Sequence, residues 1–464
     1  MGGGIAMIGT NTKKLGLIIL LLLFFFTIIG LPVFPQEKEA EEKPLTLDEE
    51  MRTRVVKRIG QLMENHYVFK EIGEKMTESL NTQLEEGKYS KIDDVHEFSR
   101  ILTKDLRSVS KDRHIRVTYS PEMVKRIRAG QSRSEEEREK ERKANIERQR
   151  RQNFGFRRVE IREGNIGYLD LEGFSGLSQA GETIVAAMNF LANADAVIID
   201  LRNNGGGSPY TIQIISSYFL EEYTHLNSFE WRDADSIEQF WTLRYVPGKK
   251  MYDTDLYILT SSRTFSAAEE FTYNMKNLER ATLVGETTGG GAHPGGDRIV
   301  NSYFLVWIPS GRAINPISKT NWEGEGIAPH IAVPRDQALD KAHSIALEKL
   351  LEKTDDEGRK HQLNWALDGV KARIEPAEVQ PETQKKYVGN YTRGEVKLKE
   401  RQLFIQVGPR QFKMIPLSDT YFVLDGEPDI RVEFTFNEKN KEYEIIGHFP
   451  DGRKENVKRV KSNK

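Results

Sequence analysis

The order of apolar and polar positions predicts a helical N-terminal region, an alternating α/β middle and a C-terminal region of short strands. Apolar residues recur at helical spacing at about 51–63, 71–84 and 92–106, which predicts a small helical bundle. In the middle, short apolar runs alternate with amphipathic helical stretches, as in a buried sheet with helices packed on it. From 387 to 460, segments of alternating polarity are separated by Gly, Asp and Asn, which predicts a separate antiparallel β-domain.

Local signals refine this outline. Thr46–Glu49 has the sequence of a capping box and predicts the start of the first helix. The turn Glu163–Asn165 predicts a hairpin, and the apolar run Ile299–Ile308 predicts one long strand. The other expected elements are helices at 178–192, 336–351 and 362–374, buried strands at 196–201, 256–260 and 281–285, and C-terminal strands at 403–407, 421–424, 432–436 and 443–446.

Two loops in the middle region carry the candidate chemistry. Glycines 205–207 stand between a strand and a helix that begins at Pro209, and their bare N–H groups suit an anion or an oxyanion. Walker and dinucleotide-binding spacings are absent, so phosphate binding is the weaker interpretation. Ser266 opens the helix after strand 256–260, where the helix dipole favours negative charge. An N-cap is the simpler role for Ser266 and a nucleophile is the functional alternative.

Composition excludes several classes of protein and site. The chain has 464 residues, 30% charged and 38% hydrophobic, with a formal net charge of -2, so nothing marks it as a nucleic-acid binder. It contains no cysteine, which excludes disulfides, thiolate metal sites and a cysteine nucleophile. The run of mixed charges at 135–152 predicts a solvated helix or connector. We expect no metal and no cofactor.

The N-terminus indicates export. Lys13 and Lys14 precede an apolar run at 15–31, and acidic residues follow from Glu37 onward. This order is typical of a secretory signal or a single membrane anchor. We therefore expect the body of the protein in the periplasm or at the cell surface, with possible attachment to the membrane through residues 15–31.

Six motifs together resemble the tail-specific (C-terminal processing) serine protease family, in the branch of the tricorn core and the interphotoreceptor retinoid-binding protein modules. They occur in family order within about residues 47–352. The motifs are KDRH (111–114), NIGYLDLEGF (165–174), DLRNNGGGS (200–208), TFSAAEEF (264–271), VGETTGGGAHPGG (284–296) and WEGEGIAPHIAV (322–333). The resemblance implies an α/β core of the ClpP/crotonase-like kind.

The resemblance also implies roles for five residues. Ser266 would be the nucleophile, His114 its base and Glu323 the carboxylate that orients the imidazole. The amides of Gly206 and Ala267 would bind the oxyanion. This combination suits acyl transfer, because serine needs a base with a pKa near the working pH.

The chain departs from the family pattern at two positions. The common bacterial branch has a catalytic lysine where this chain has Gly291, so a serine–lysine dyad is missing. In tricorn a serine beside the histidine connects it to the glutamate, and Arg113 occupies that place here.

Some assignments stay open at the level of sequence. His293 is an alternative base, and Glu325 competes with Glu323 because spacing does not separate them. The interval from His114 to Val159 is too short and too charged for a PDZ domain, so we expect none.

These inferences combine into a domain plan and a function. The predicted segments are a signal peptide or anchor (1–36), a helical bundle (45–119), a charged connector (120–157), the α/β core (158–352), a helix and linker (353–381) and a small β-domain (382–464). We expect an exported serine endopeptidase that cleaves extended or unfolded polypeptides. The alternatives are an inactive ligand-binding module on the same fold and a hydrolase of small esters. For the β-domain, we expect substrate positioning or surface attachment.

Overall fold

The computed structural model describes residues 47–132 and 134–460. The helices are α1 (Glu49–His66), α2 (Lys70–Glu85), α3 (Val95–Ser110), α4 (Pro121–Ser132), α5 (Glu135–Arg151), α6 (Leu177–Leu191), α7 (Pro209–Phe219), α8 (Ala267–Asn277), α9 (Ala338–Lys353), α10 (Glu357–Ile374) and α11 (Pro381–Tyr387). The strands before α9 are β1 (Arg116–Tyr119), β2 (Phe156–Arg162), β3 (Ile166–Leu171), β4 (Ala196–Asp200), β5 (His225–Trp231), β6 (Ser236–Trp241), β7 (Asp255–Thr260), β8 (Ala281–Gly285), β9 (Gly295–Ile299), β10 (Phe304–Pro309), β11 (Gly311–Ile314) and β12 (Ile331–Ala332). The C-terminal strands are β13 (Gly389–Tyr391), β14 (Gly394–Lys399), β15 (Gln402–Val407), β16 (Arg410–Pro416), β17 (Tyr421–Leu424), β18 (Glu427–Asn437), β19 (Glu442–His448) and β20 (Lys454–Val457).

The centre of the fold is a six-stranded sheet in the order β12-β8-β7-β4-β3-β2. All neighbours pair in parallel except β2, which forms an antiparallel hairpin with β3. Successive residues of β4 point to opposite faces, so Val197 and Ile199 pack with α6–α8 while Ala196 and Ile198 pack with α9 and α10. Burial on both faces explains why these strands read as continuous apolar runs.

The N-terminal helices reach the core through a strand. β1 pairs antiparallel with β10, with Arg116 opposite Trp307, and β10 pairs with β9. The run expected as one strand at 299–308 is therefore two strands with a turn between them.

The first helix also starts at a different residue from the one predicted, because the side chain of Asp48 caps it by accepting from Met51 N. The capping box predicted from Thr46 was wrong.

Two strands that the sequence pattern did not predict, β5 and β6, form a small sheet with β11 in the order β11-β5-β6. The C-terminal region contains eight strands where four were expected. It packs on α10, where the Trp365 indole donates to Pro428 O at 2.9 Å and the guanidinium of Arg431 lies 4.0 Å from the Trp365 ring centre.

The predicted fold class is confirmed: a helical N-terminal region, an α/β core and a C-terminal antiparallel β-structure. The exact domain boundaries stay predictions. The apolar run at 15–31 lies outside the described residues. Within the described residues, no helix has the length and apolar character needed to cross a membrane.

Candidate active site

Ser266 lies at the sharp turn between β7 and α8. Its backbone has φ 55° and ψ -122°, a left-handed conformation that is rare for a residue with a side chain. Strain of this kind persists where the surroundings fix it, and a strand–turn–helix with a strained serine at its tip is how α/β-hydrolases expose a nucleophile. The geometry therefore gives Ser266 more than the role of an ordinary N-cap.

Glu269 holds the turn in place. Its buried carboxyl group accepts from the amides of Ser266 (2.9 Å), Gly290 (2.6 Å) and Gly291 (2.8 Å), and Thr288 Oγ1 donates to it as well. One side chain thus fixes the serine turn against the glycine-rich loop. Sequence reasoning did not assign Glu269 a role, although its place in the Ser-Ala-Ala-Glu motif was a signal.

Backbone amides beside Ser266 differ in their availability. The Gly206 amide donates to Asn204 Oδ1 at 2.9 Å, so in this conformation it does not face the serine as the sequence assignment required. The amides of Gly207 and Ala267 make no hydrogen bond within the described residues, and both residues line the cavity that contains Ser266. Ala267 N also lies 2.9 Å from where a Cβ on Gly206 would stand, so the two loops touch.

His114 reaches the same place from the N-terminal bundle. It precedes β1, and the pairing of β1 with β10 brings its ring to 4.7 Å from the ring of Phe265, the neighbour of Ser266. A Cβ on Gly291 would stand 2.7 Å from His114 Cε1, so glycine is needed at that position. Burial lowers the pKa of His114 from 6.5, which favours the neutral imidazole that a general base requires.

Glu323 also lies near the imidazole of His114, within 4.8 Å. Its Oε2 accepts from the amides of Ala292 (2.5 Å) and His293 (3.2 Å), and 11% of its side chain is exposed. Burial, and next the charge of Asp112, raise the pKa of Glu323 to about 7. Glu325 is exposed, so burial separates the two candidates that spacing left equal.

A buried acid that sequence reasoning missed completes the cluster. The Asp112 side chain is fully buried and accepts from His293 Nδ1 (2.8 Å), Tyr67 Oη (3.2 Å) and the amide of His114 (2.9 Å). His293, the alternative base, is therefore engaged with Asp112, and its Nδ1 lies 3.5 Å from Glu323 Oε2. The spacing Asp-x-His in the KDRH motif was the available signal.

The side chain of Arg113 does not bridge the histidine to the glutamate, although the Arg113 backbone hydrogen-bonds Glu323. Its guanidinium donates to the carbonyl of Gly289 and so ties the His114 segment to the glycine-rich loop. One donor or acceptor atom from each of Asp112, His114 and Glu323 lies within 4.8 Å of the other two. Such groups can also act as ligands of a divalent cation. The sequence carries no metal-binding motif, and we therefore interpret the three residues as acid–base groups.

Two atoms in this cluster have unused hydrogen-bonding capacity. His114 Nδ1 and Glu323 Oε1 are both buried without a partner, and Asp112 Oδ1 is 3.8 Å from His114 Nδ1. In the described residues, no hydrogen bond joins Ser266 Oγ to His114. Such bonds are often long without substrate and tighten in the complex.

A cavity of about 280 Å³ opens beside Ser266. Five of its fourteen lining residues are aromatic, and Glu270 lies among the others with 2% of its surface exposed. Burial raises the pKa of Glu270 to about 8, and its Oε1 has no partner. The aromatic lining residues are Tyr210, Phe229, Trp231, Phe240 and Trp322.

Two family models match separate parts of the chain. Residues 165–333 match peptidase family S41, and residues 43–152 match the N-terminal domain of peptidase S41 in eukaryotic IRBP. A carboxyl-terminal-processing protease from Synechocystis is 31% identical over 128 residues. That alignment covers 27% of this chain and 28% of the relative.

Solved structures are similar at low identity. The photosystem II D1 C-terminal processing protease is 13% identical with a TM-score of 0.38, covering 62% of this chain and 94% of that one. The tricorn protease is 12% identical with a TM-score of 0.41, covering 68% of this chain and 38% of that one.

Proposed function

We propose that the chain is a serine endopeptidase that cleaves extended or unfolded polypeptides, in keeping with the matches of residues 165–333 and 43–152 to models of peptidase family S41 and its N-terminal domain. Ser266 is the nucleophile, His114 the general base and Glu323 the carboxyl group that orients the imidazole. The observation that carries the proposal is the meeting of these three segments: His114 packs on the neighbour of Ser266 and lies within 4.8 Å of Glu323.

The reaction follows from the properties of these groups. Neutral His114 accepts the proton of Ser266 Oγ as the oxygen attacks the substrate carbonyl, and then gives it to the leaving amine. The acyl-enzyme is next hydrolysed by a water that His114 activates. Both Glu323 Oε1 and His114 Nδ1 are buried without a partner. In the reacting complex Glu323 Oε1 accepts from His114 Nδ1, which fixes the tautomer and stabilises the imidazolium.

The tetrahedral oxyanion needs donors that are free and rigid. We assign this role to the amides of Ala267 and Gly207, in place of the Gly206 amide that donates to Asn204. Ala267 is the first residue of α8, so the helix dipole adds to its effect. Donors of this kind are worth roughly 3–4 kcal/mol each in the transition state.

An extended substrate fits the surroundings of the cavity. β6 is the edge of its sheet, and Glu238 and Phe240 of this strand line the cavity beside Ser266. An unpaired edge can bind an extended chain by backbone hydrogen bonds. One substrate side chain would then enter the aromatic cavity, which supports unfolded polypeptide over small esters as the substrate.

We place the enzyme outside the cytoplasm, in the periplasm or at the cell surface. Lys13 and Lys14, the apolar run at 15–31 and the acidic residues that follow support export. Fractionation of cells expressing the chain, with protease added to intact spheroplasts, tests this location. Protection of the chain from that protease contradicts it.

A fluorophosphonate probe and unfolded casein test the activity. Wild-type protein should be labelled at Ser266 and should cleave casein, and Ser266→Ala should lose both properties. Ser262→Ala is the matched control, because Ser262 is an exposed serine of the same turn. Equal cleavage by Ser266→Ala and wild type contradicts the assignment. Absence of both labelling and cleavage in the wild type favours the inactive binding module.

A further inference from the structure

The C-terminal strands close into a barrel. β13 to β20 pair with their sequence neighbours in an antiparallel meander. After β20 the chain returns to β13: Thr392 N donates to Lys458 O at 2.9 Å and Val460 N donates to Asn390 O at 2.8 Å. An eight-stranded barrel has an interior that side chains either fill or leave open for one small ligand.

One end of this barrel is filled. The ring of Tyr387 stacks on that of Phe434 with 3.9 Å between centres, and Phe422 meets both rings edge-on. Met414 and Leu403 are buried in the same cluster. This end is therefore an ordinary packed core.

The other end is hollow. A cavity of about 420 Å³ lies there, in the size range of small-molecule sites. Its lining follows the alternation of the strands, because positions two apart on one strand face the same side. The apolar lining residues are Tyr391, Ile405, Val407, Phe412, Leu424, Ile430, Val432, Ile445, Phe449 and Val457.

A glycine near the C-terminal end of β19 helps to keep the space open. Gly447 lines the cavity, and a Cβ built on it would meet its nearest atoms, Glu455 O and Phe449 Cε2, at 3.8 Å. That is ordinary contact distance, so a larger residue fits there. Glycine inside a strand lowers stability, and protein interiors seldom leave such gaps unfilled. The retained gap indicates an occupant.

The rim of the cavity carries an excess of arginine. Three arginines and two glutamates line it, namely Arg393, Arg410, Arg453, Glu427 and Glu455. Arg393 pairs with Glu455, and Arg453 pairs with Asp451 at 3.6 Å. Arg410 and Glu427 have no ion pair within the described residues. Arg410 lies two residues before the inward-facing Phe412 on β16, so it is on the same side of the strand as that ring.

We propose that the hollow end of the barrel binds a free small amphiphile with one alkyl chain and a carboxylate head. The chain occupies the space between Val432, Ile445 and Gly447, and the head meets Arg410, whose guanidinium matches a carboxylate in shape and charge. The inference does not depend on the peptidase proposal, because none of these residues lines the cavity that contains Ser266.

Calorimetric titration of the purified full chain tests the site. Decanoate, decanol and decyltrimethylammonium are compared, each below its critical micelle concentration. We expect one decanoate per chain, with decyltrimethylammonium at least tenfold weaker and decanol intermediate. Absence of saturable decanoate binding overturns the proposal, and equal binding of the cationic amphiphile overturns the assignment of the head group.

Variants locate the binding in the barrel. Gly447→Ile fills the cavity and should weaken decanoate at least tenfold while the melting temperature stays equal or rises. Thr435→Val is the matched control, since Thr435 alternates with the inward-facing Phe434 and should leave binding unchanged. Arg410→Gln should weaken decanoate but not decanol. If Gly447→Ile does not fold, Gly447→Ala and Arg410→Gln decide the question, and unchanged decanoate affinity in both overturns the site.

The remaining alternative is that the cavity binds polypeptide tails. A short apolar peptide with a free C-terminal carboxylate tests it. We expect it to compete poorly with decanoate. Peptide binding in the absence of decanoate binding would replace the amphiphile site with a site for polypeptide tails. Labelling of Ser266 by the fluorophosphonate should be the same in Gly447→Ile and wild type, so failure of one proposal does not decide the other.

Discussion

The Nδ1 atom of His293 lies 2.8 Å from Asp112 Oδ2 and 3.5 Å from Glu323 Oε2. One imidazole thus contacts two largely buried acids, one from the N-terminal helical region and one from the loop after β11. In the proposed mechanism His114 is the base. Its amide donates to Asp112 and its Nδ1 lies 3.8 Å from Asp112 Oδ1, while Glu323 lies within 4.8 Å of the same imidazole. The contacts of His293 with both acids therefore fix these acids relative to the proposed base, which makes His293 a positioning residue in that mechanism.

Removing that contact should reduce catalysis through geometry. We expect Asp112→Asn and His293→Gln each to lower kcat/KM, and the double variant to lose less than the sum of the two losses, with a coupling energy of about 0.5–3 kcal/mol. Each single variant should also lose about 1–3 kcal/mol of folding stability, because a buried partner is left unsatisfied. Kinetics and urea unfolding on the four proteins measure both effects. Strict additivity in kcat/KM argues against a shared role.

Gly291 is needed because of its neighbours. A Cβ there would lie 2.3 Å from Phe265 Cζ and 2.7 Å from His114 Cε1. We expect Gly291→Ala to displace His114 and lower kcat/KM about 10²-fold, as a shift of about 1 Å can do. Gly296→Ala is the control, since a Cβ on Gly296 meets no atom within 4 Å. Phe265→Ala should partly rescue Gly291→Ala. Full activity in Gly291→Ala contradicts the placement of His114.

The two glutamates of the WEGEG segment should differ sharply. Glu323→Gln should lower kcat/KM by about 10²–10⁴-fold, because the amide cannot stabilise the imidazolium. Glu325→Gln should change it less than about twofold, because Glu325 is exposed. A reversed order would move the role to Glu325.

The pH profile gives a second measurement of the same site. Burial and Asp112 raise the pKa of Glu323 to about 7, whereas burial lowers the pKa of His114 from 6.5. Wild-type kcat/KM should therefore fall as the pH drops through about 7. In Glu323→Gln, the remaining activity should keep only the fall below about 6.5 that belongs to His114. An unchanged profile in this variant contradicts the assignment.

Glu270 should make folding stability depend on pH. Burial raises its pKa from 4.5 to about 8, so the folded protein retains a proton that the unfolded chain releases above about 4.5. The contribution of Glu270 to the free energy of unfolding is therefore fully present below pH 4.5 and is lost as the pH rises to about 8. The loss is on the order of a few kcal/mol. Glu270→Gln should remove this slope in urea unfolding between pH 5 and 8. The exposed Glu352→Gln should keep the slope, and a slope equal to wild type in Glu270→Gln contradicts the prediction.

The sequence by itself determined the buried parallel strands and the position of Ser266 at a helix start. Continuous apolar runs predicted the buried strands β4, β7 and β8, and the serine at the start of α8 followed from the strand–turn–helix order. These signals are local, because burial on two faces and helix initiation each leave their mark within a few residues. The resemblance to peptidase family S41, which the family models match at 165–333 and 43–152, followed from the motifs in the same way. The apolar run at 299–308 wrongly predicted one strand, because a turn can interrupt a run of apolar residues without changing its hydrophobic pattern.

Only the tertiary structure decided which side chains meet. Asp112, His293 and Glu323 come together because β1 pairs with β10 and the glycine-rich loop closes against the WEGEG segment. It also decided that Glu323 is largely enclosed and Glu325 exposed, that the Gly206 amide donates to Asn204, and that eight strands close into a barrel with a hollow end. These facts depend on contacts between segments that are distant in sequence. Such contacts are decided by the free energy of packing the whole chain, which no local pattern encodes.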